Sequence, residues 1–360
     1  MTNFNLRLVA TLASLTLIAC GGSDETDGTD GTDADTDSTT ACDVTIQSTF
    51  PELDAADVYY RTAIEVEFNG DESTTGSIAV TDGAGAEVAG TTTFSEDGET
   101  LVFTPDVPLT SETTYNFDVS FSCDNGTAVP FSFTTGITGP SVDAAALVGN
   151  VYNVDIFSGR ITKPEGIQDV AEGLLAKLDA DVYVLVSPTD FDAKANTVGM
   201  SGALGTVDGD GNVVQDICTP SIEFPIAADF AENPYFEIVA DTVALPEIEG
   251  VMLDLTDVAL SGAFNPDSQS IVGVSLAGSA DIRDIAPLLG SSADEACLLV
   301  NTVAGIDCET CPDGQNYCLS VEIKDLAADS VDATLEVVTD KDAAANDAAA
   351  KKDASACWGM

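Results

Sequence analysis

The sequence predicts a mainly β protein: a β-sandwich, then an α+β domain of antiparallel sheet with one amphipathic helix. Three observations predict it. Residues 42–137 carry seven short runs of alternating apolar and polar residues, separated by Asp-Gly and Asn-Gly turns. Residues 143–340 carry several longer runs of the same kind. Only one segment, near 163–178, shows strong helical periodicity.

Residues 1–19 read as a lipoprotein signal peptide. Arg7 is their single charge, and Leu8 to Ala19 is an apolar run too short for a bilayer, which needs about 20 residues. The run ends in Leu17-Ile18-Ala19-Cys20-Gly21, which resembles the bacterial lipobox. The resemblance implies cleavage before Cys20, acylation of that cysteine and a stable membrane anchor. Gly21, rather than Asp, points by analogy to the outer membrane. Cell-envelope localisation is therefore expected. Residues 20–41 repeat Asp-Gly-Thr and hold little that is apolar, so they are expected to form an acidic, disordered linker. A calcium site is weighed for the tract beside this, but EF-hand and similar loops need a bidentate Glu or fixed turn geometry that it lacks.

Removing Arg7 with the leader leaves 62 acidic against 10 basic residues, a net charge of −52. Such a chain repels nucleic acid, which is not an expected partner. The sequence has no histidine. That excludes Ser-His-Asp and Cys-His catalysis and every His-ligated zinc centre. No serine stands three residues before a lysine, and there is no Gly-Lys dipeptide of a P-loop. No catalytic residue, metal ligand or cofactor is assigned, and the chain is not expected to be an enzyme.

In the first folded part the strands are expected at about Val44–Ser48, Thr62–Phe68, Ser77–Thr81, Val88–Phe94, Thr100–Thr104, Thr114–Phe121 and Pro130–Thr135. Ile64-Glu65-Val66-Glu67-Phe68 and Tyr115-Asn116-Phe117-Asp118-Val119 alternate most clearly. Asp82-Gly83, Asp97-Gly98 and Asn125-Gly126 supply turns.

Phe50-Pro51, Thr62 to Phe68, Phe103-Thr104-Pro105, Pro108-Leu109, Thr113-Thr114-Tyr115 and Phe131 to Gly136 occur in an order that resembles the SbsA-type bacterial Ig-like domain. The resemblance implies an Ig-like β-sandwich over 42–137, with Tyr115 as its corner tyrosine. It also implies that Cys42 and Cys123 meet and close the domain, worth roughly 4 kcal/mol in the chain-entropy account. Domains of this kind resemble spacers and adhesion modules and carry no catalytic residues.

Ile137 to Val142, with Gly139-Pro140, reads as a hinge. The domain at 143–340 resembles no family that its motifs identify. Its helix is expected from about Lys163 to Leu178, started by a Thr162–Glu165 capping box with Pro164 in the first turn. Strands are expected at about Val182–Val186, Thr197–Val207, Gly211–Ile217, Phe236–Ala244, Met252–Phe264 and Ile271–Ala280, then a short helix near Ile282–Leu289. Asp208 to Asn212 and Asn265-Pro266-Asp267 read as turns. Residues 341–360 read as an Ala-rich tail with a small exposed helix.

With Cys20 acylated, eight cysteines remain: Cys42, Cys123, Cys218, Cys297, Cys308, Cys311, Cys318 and Cys357. In an oxidising compartment all are disulfide candidates. Cys308-Glu309-Thr310-Cys311 has spacing that also suits a redox pair or a zinc site with Cys318 or Cys297. Cys218 and Cys297 are both candidates to hold Cys357.

These observations give a membrane-anchored cell-envelope lipoprotein with a non-catalytic structural, adhesion or binding role. Its expected partners are the membrane, through the lipid, and an envelope protein or glycan. Two alternatives are weighed beside it: a carrier of a lipid or other apolar ligand in the second domain, and a carboxylate-based hydrolase.

Overall fold

The computed structural model describes residues 42–360 apart from 96, 157, 165, 169–182, 249–250, 287–289, 354–356 and 358–360. The leader, Cys20 and the Asp-rich tract lie outside the described residues. The molecule is mainly β, as the sequence predicts.

The first part is a two-sheet sandwich. One sheet runs β1 (Ile46–Phe50), β3 (Ile64–Phe68), β6 (Thr100–Pro105), β5 (Gly90–Phe94). The other runs β2 (Ala55–Val58), β8 (Val129–Thr135), β7 (Thr114–Ser120), β4 (Ser77–Asp82). The alternation in sequence becomes alternation in space: Ile64, Val66 and Phe68 point inward from β3, and Tyr115, Phe117 and Val119 from β7. Each such burial contributes about 1.5–3 kcal/mol. Phe117 stacks on Phe131 at 5.1 Å between ring centres. The Thr110 N–H donates to the Tyr115 hydroxyl at 2.8 Å, the expected corner. Asn125 and Gly126 both take positive φ, 55° and 74°, in the turn before β8. The eighth strand, β2, was not anticipated. Its four residues include Asp57, at φ 57°, and it pairs parallel to β8.

The second part is an antiparallel β-barrel. β9 (Val151–Asp155) and β10 (Arg160–Lys163) lie end to end along β19 (Cys318–Val331). β11 (Tyr183–Asp192) pairs with β9 and with β12 (Thr197–Val207). β13 (Val213–Gln215), β14 (Ile222–Glu223) and β15 (Ala228–Asp229) take turns along β12. β16 (Tyr235–Ile248), β17 (Val251–Phe264) and β18 (Ser270–Asp281) continue the meander to β19. The β19–β9 pairing closes the sheet on itself. The sheet predicted from sequence is therefore curled into a barrel.

The interior is apolar. Tyr152 of β9 meets Phe264 of β17 at 5.7 Å, although these strands are not neighbours, so the contact spans the barrel. Phe236 and Phe230 pack on the same Phe264 ring at 5.2 and 6.0 Å. This section is filled by the protein's own side chains, as eight staves allow.

The expected helix start at Lys163 is corrected. Arg160–Lys163 is strand β10, held by β19, and the Thr162 hydroxyl donates to Glu322 at 2.8 Å instead of capping a helix. Tertiary pairing overrides the capping-box pattern. Most of the remaining predicted helix, 169–178, lies outside the described residues. Besides α1 (Ala144–Leu147), the described helices are α2 (Ile282–Ile285), α3 (Ala293–Ala304) and α4 (Asp340–Asp353). α3 starts with a capping box from Ser292 and Glu295 and stops at Gly305, φ 70°. Strand β19 and helix α3 were not anticipated. α4 is the expected tail helix, but one face is covered: Ala343 and Ala350 are buried, and Asn346 donates to the Ile217 carbonyl.

Candidate functional site

Eight cysteines form four disulfides: Cys42–Cys123, Cys218–Cys357, Cys297–Cys308 and Cys311–Cys318. The first closes the sandwich as its resemblance implies. The second ties the chain's end to the segment after β13. Cys308 and Cys311 are not joined to each other. Each takes a partner outside the CxxC run, because α3 carries Cys297 to Cys308 and the start of β19 carries Cys318 to Cys311. That corrects the redox-pair and zinc readings: the sulfurs are committed, and a disulfide sulfur is not a thiolate ligand. The same holds for two close groupings of acid and sulfur, Asp216 with Cys218 and Cys357, and Asp281 with Cys311 and Cys318.

Asp208 acts as a turn residue. Its Oδ1 accepts from the Asp210 and Asn212 N–H groups at 2.8 and 2.9 Å. Glu72 is a buried carboxylate that sequence reasoning did not single out. It accepts from the Ser122 N–H at 2.9 Å and from the Ser122 and Thr75 hydroxyls, beside the Cys42–Cys123 pole. Burial pushes its pKa up, but these hydrogen bonds outweigh burial and hold it below the usual carboxylate value.

The chemistry concentrates where sandwich and barrel meet. Three arginines lie among the described residues, Arg61, Arg160 and Arg283. Two of them bridge the two parts. Arg160, on β10, makes paired hydrogen bonds to Glu65 of β3 at 2.9 and 3.3 Å and another to Asp325 of β19 at 3.1 Å. Its guanidinium sits 3.6 Å from the Phe50 ring centre. Arg61, in the β2–β3 loop, pairs with Glu232 of the barrel and lies 4.1 Å from the Tyr235 ring centre. Burial works against both guanidinium charges, and the facing carboxylates outweigh it, so both stay protonated. Asp325 is shifted the other way. Burial raises its pKa more than Arg160 lowers it. Glu322 anchors Thr162 and lies 3.5 and 3.8 Å from the Lys324 and Lys163 ammonium groups.

The third arginine braces the disulfide-bonded lobe. Arg283 donates to Asp281 at 2.8 Å and pairs with Asp313 at 2.7 Å.

The expected hinge is held in place. Val142 N–H donates to Asn233 Oδ1 at 2.8 Å, Asn233 Nδ2 returns a bond to the Val142 carbonyl at 2.9 Å, and Thr138 bonds Asn265. The Tyr59 ring lies against the barrel at Gly273, whose φ is 59°. A Cβ there would come within 2.3 Å of the ring, so only glycine permits this approach. A slot of about 330 Å³ opens beside Tyr59, lined from the sandwich by Thr62, Glu65 and Thr104 and from the barrel by Tyr235, Ser261, Ser275 and Asp325.

Neither Arg61, Arg160, Tyr59 nor Asp325 was singled out from sequence. A signal existed: in so acidic a chain each arginine is a scarce charge, and scarce cations go where carboxylates must be brought together.

Residues 39–135 match the family of bacterial Ig-like domains. The sandwich is thus an Ig-like domain by sequence as well as by fold. Among curated proteins, none matches the chain. Among solved structures, the methionine-rich copper resistance protein PcoC of Escherichia coli is similar over 26% of this chain and 97% of its own, with 21% identity and a TM-score of 0.23. The S-layer protein SbsC, domains 1–6, is 10% identical over 82% of this chain and 54% of its own, with a TM-score of 0.22. At these scores neither likeness transfers an activity or a partner.

Proposed function

We propose that this chain is a membrane-anchored cell-envelope lipoprotein with a non-catalytic structural, adhesive or binding role. The observation that carries the reading is the pairing of all eight cysteines other than Cys20. Four disulfides are the chemistry of an oxidising compartment, and they leave Cys20 as the unpaired cysteine. The apolar leader ending at Cys20 supports anchoring by lipid, and Gly21 supports the outer membrane. The arginine bridges and the tethered hinge support a stiff two-domain body, suited to spacing or display. Partners of this reading are the membrane, through the lipid, and an envelope protein or glycan. The charge of −51 disfavours nucleic acid.

The apolar-carrier alternative is weakened because Tyr152, Phe230, Phe236 and Phe264 fill the section of barrel they span. The hydrolase alternative is weakened because Glu65 and Asp325, the acids brought together in the cleft, are both committed to Arg160.

The test is metabolic labelling with an alkyne palmitate and membrane fractionation of wild type and Cys20→Ala. The reading expects label and membrane retention in wild type and loss of both in the variant. Unlabelled wild type, or a variant still held in the membrane, overturns it.

A further inference from the structure

We infer that Asn125 is a self-modification site, where the Gly126 nitrogen displaces the side-chain amide and leaves aspartate or isoaspartate. The inference goes beyond the role proposed above and is independent of it.

The sequence holds two Asn-Gly pairs, Asn69-Gly70 and Asn125-Gly126. A glycine after asparagine has no Cβ to obstruct attack by its own nitrogen. The fold treats the two pairs differently. Asn69 is guarded at both ends of its amide. Its Oδ1 accepts from the Thr45 N–H at 2.7 Å, and its Nδ2 donates to the Asp43 carbonyl at 3.2 Å. The Asn125 amide has no hydrogen bond among the described residues. Asn125, Gly126 and Thr127 are all exposed in the β7–β8 turn, and a Cβ on Gly126 would meet open space. Water and local rotation both have room there.

The turn also supplies a base. Asp124 Oδ1 accepts from the Gly126 N–H at 2.6 Å, so a carboxylate already holds the proton that must leave the attacking nitrogen. As Gly126 N bonds to Asn125 Cγ, the Cγ–Nδ2 bond breaks. The Gly126 proton passes through Asp124 to the departing nitrogen, which leaves as ammonia. Water then opens the cyclic imide at either carbonyl, giving aspartate or isoaspartate. Either product adds a negative charge beside Asp124. Isoaspartate also lengthens the backbone at a residue that holds φ 55°, close to the Cys42–Cys123 bond that closes the sandwich.

The experiment incubates the folded mature chain, disulfides intact, at pH 6, 7 and 8, with the reduced and unfolded chain as reference. Peptide mapping by mass spectrometry and methyl transfer by an isoaspartate methyltransferase follow each site. In the unfolded chain both pairs should convert at similar rates. In the folded chain Asn125 should convert at least about tenfold faster than Asn69, which must first give up two hydrogen bonds. Asp124→Ser keeps a turn-forming oxygen but removes the carboxylate. It should slow Asn125 by about tenfold at pH 7 and steepen the rise with pH, because hydroxide must then take the proton. An unchanged melting temperature shows that this variant keeps the fold. Three results overturn the inference: Asn125 intact in the folded chain while the unfolded reference converts; Asn69 keeping pace with Asn125; or Asp124→Ser converting as fast as wild type with the same pH profile.

Discussion

Replacing Arg160 by alanine removes the main ion-pair bridge between sandwich and barrel. The size of the effect follows from burial. Exposed ion pairs contribute about 0.2–1 kcal/mol, whereas breaking a buried one costs about 3–5 kcal/mol. The Arg160 side chain is 33% exposed and its partners Glu65 and Asp325 are 22% and 26% exposed, so the site lies between these limits. With the Phe50 stack also lost, the cost is about 2–3 kcal/mol at pH 7. At about 2–4 °C per kcal/mol, the melting temperature falls by roughly 4–12 °C. The pH dependence has a definite sign. Asp325 has a raised pKa in the folded state, so its contribution is fully present below its unfolded pKa and is lost as pH rises through the folded value. Removing Arg160 deepens that loss, because burial and the nearby Glu65 charge are then opposed only by the weaker pull of Lys324. The deficit of Arg160→Ala is therefore largest at neutral pH and shrinks as the pH falls and Asp325, raised above the usual carboxylate range, protonates. Differential scanning calorimetry from pH 4 to 8 measures this, and uncoupled domains should appear as two separated transitions. A loss under about 0.5 kcal/mol at pH 7, or one independent of pH, refutes the reasoning, since a surface pair would behave so.

Three further outcomes are expected. Changing Cys218 and Cys357 to serine frees the chain's end and removes a crosslink across 139 residues; the chain-entropy account gives about 5 kcal/mol as an upper value, seen as a lower denaturation midpoint and proteolysis near α4. Tyr115→Phe deletes the acceptor of the Thr110 N–H and should cost about 1–2 kcal/mol by denaturant titration; no change would mean the corner is ornamental. Glu72→Gln places an amide donor where Ser122 and Thr75 both donate and should cost about 2 kcal/mol near pH 7. Because the folded pKa of Glu72 is depressed, its contribution is present above the unfolded pKa and lost as pH falls through the folded one. The variant should therefore approach wild-type stability in acid, and a constant gap across pH would contradict that assignment.

The sandwich was legible because its signals are local. Ile64, Val66 and Phe68 alternate within five residues, and Asn125-Gly126 turns the chain by its own backbone preference. The barrel was legible only strand by strand. Its closure depends on Val151–Asp155 meeting Ala327–Val331, a pairing across most of the domain that no local pattern encodes. Thr162-Lys163-Pro164-Glu165 illustrates the limit: it has the residues of a helix start, yet β19 recruits Arg160–Lys163 as a strand. Helix α3 was legible in principle, through Ser292, Glu295 and Gly305. For the cleft, Arg61 meets Glu232 and Arg160 meets Glu65 across 171 and 95 residues. Sequence offered the scarcity of arginine but not its partners.

In the proposed lipoprotein Cys20 differs from the other eight cysteines, carrying lipid where they carry disulfides. The direct measurement is mass spectrometry of the protein taken from its own cell envelope, digested without reductant. Expected are a mature chain beginning at Cys20 with acyl mass on that residue, and disulfide-linked peptides joining Cys42 to Cys123, Cys218 to Cys357, Cys297 to Cys308 and Cys311 to Cys318. An N-terminus elsewhere with Cys20 free of lipid, or the eight cysteines found as free thiols, would contradict it.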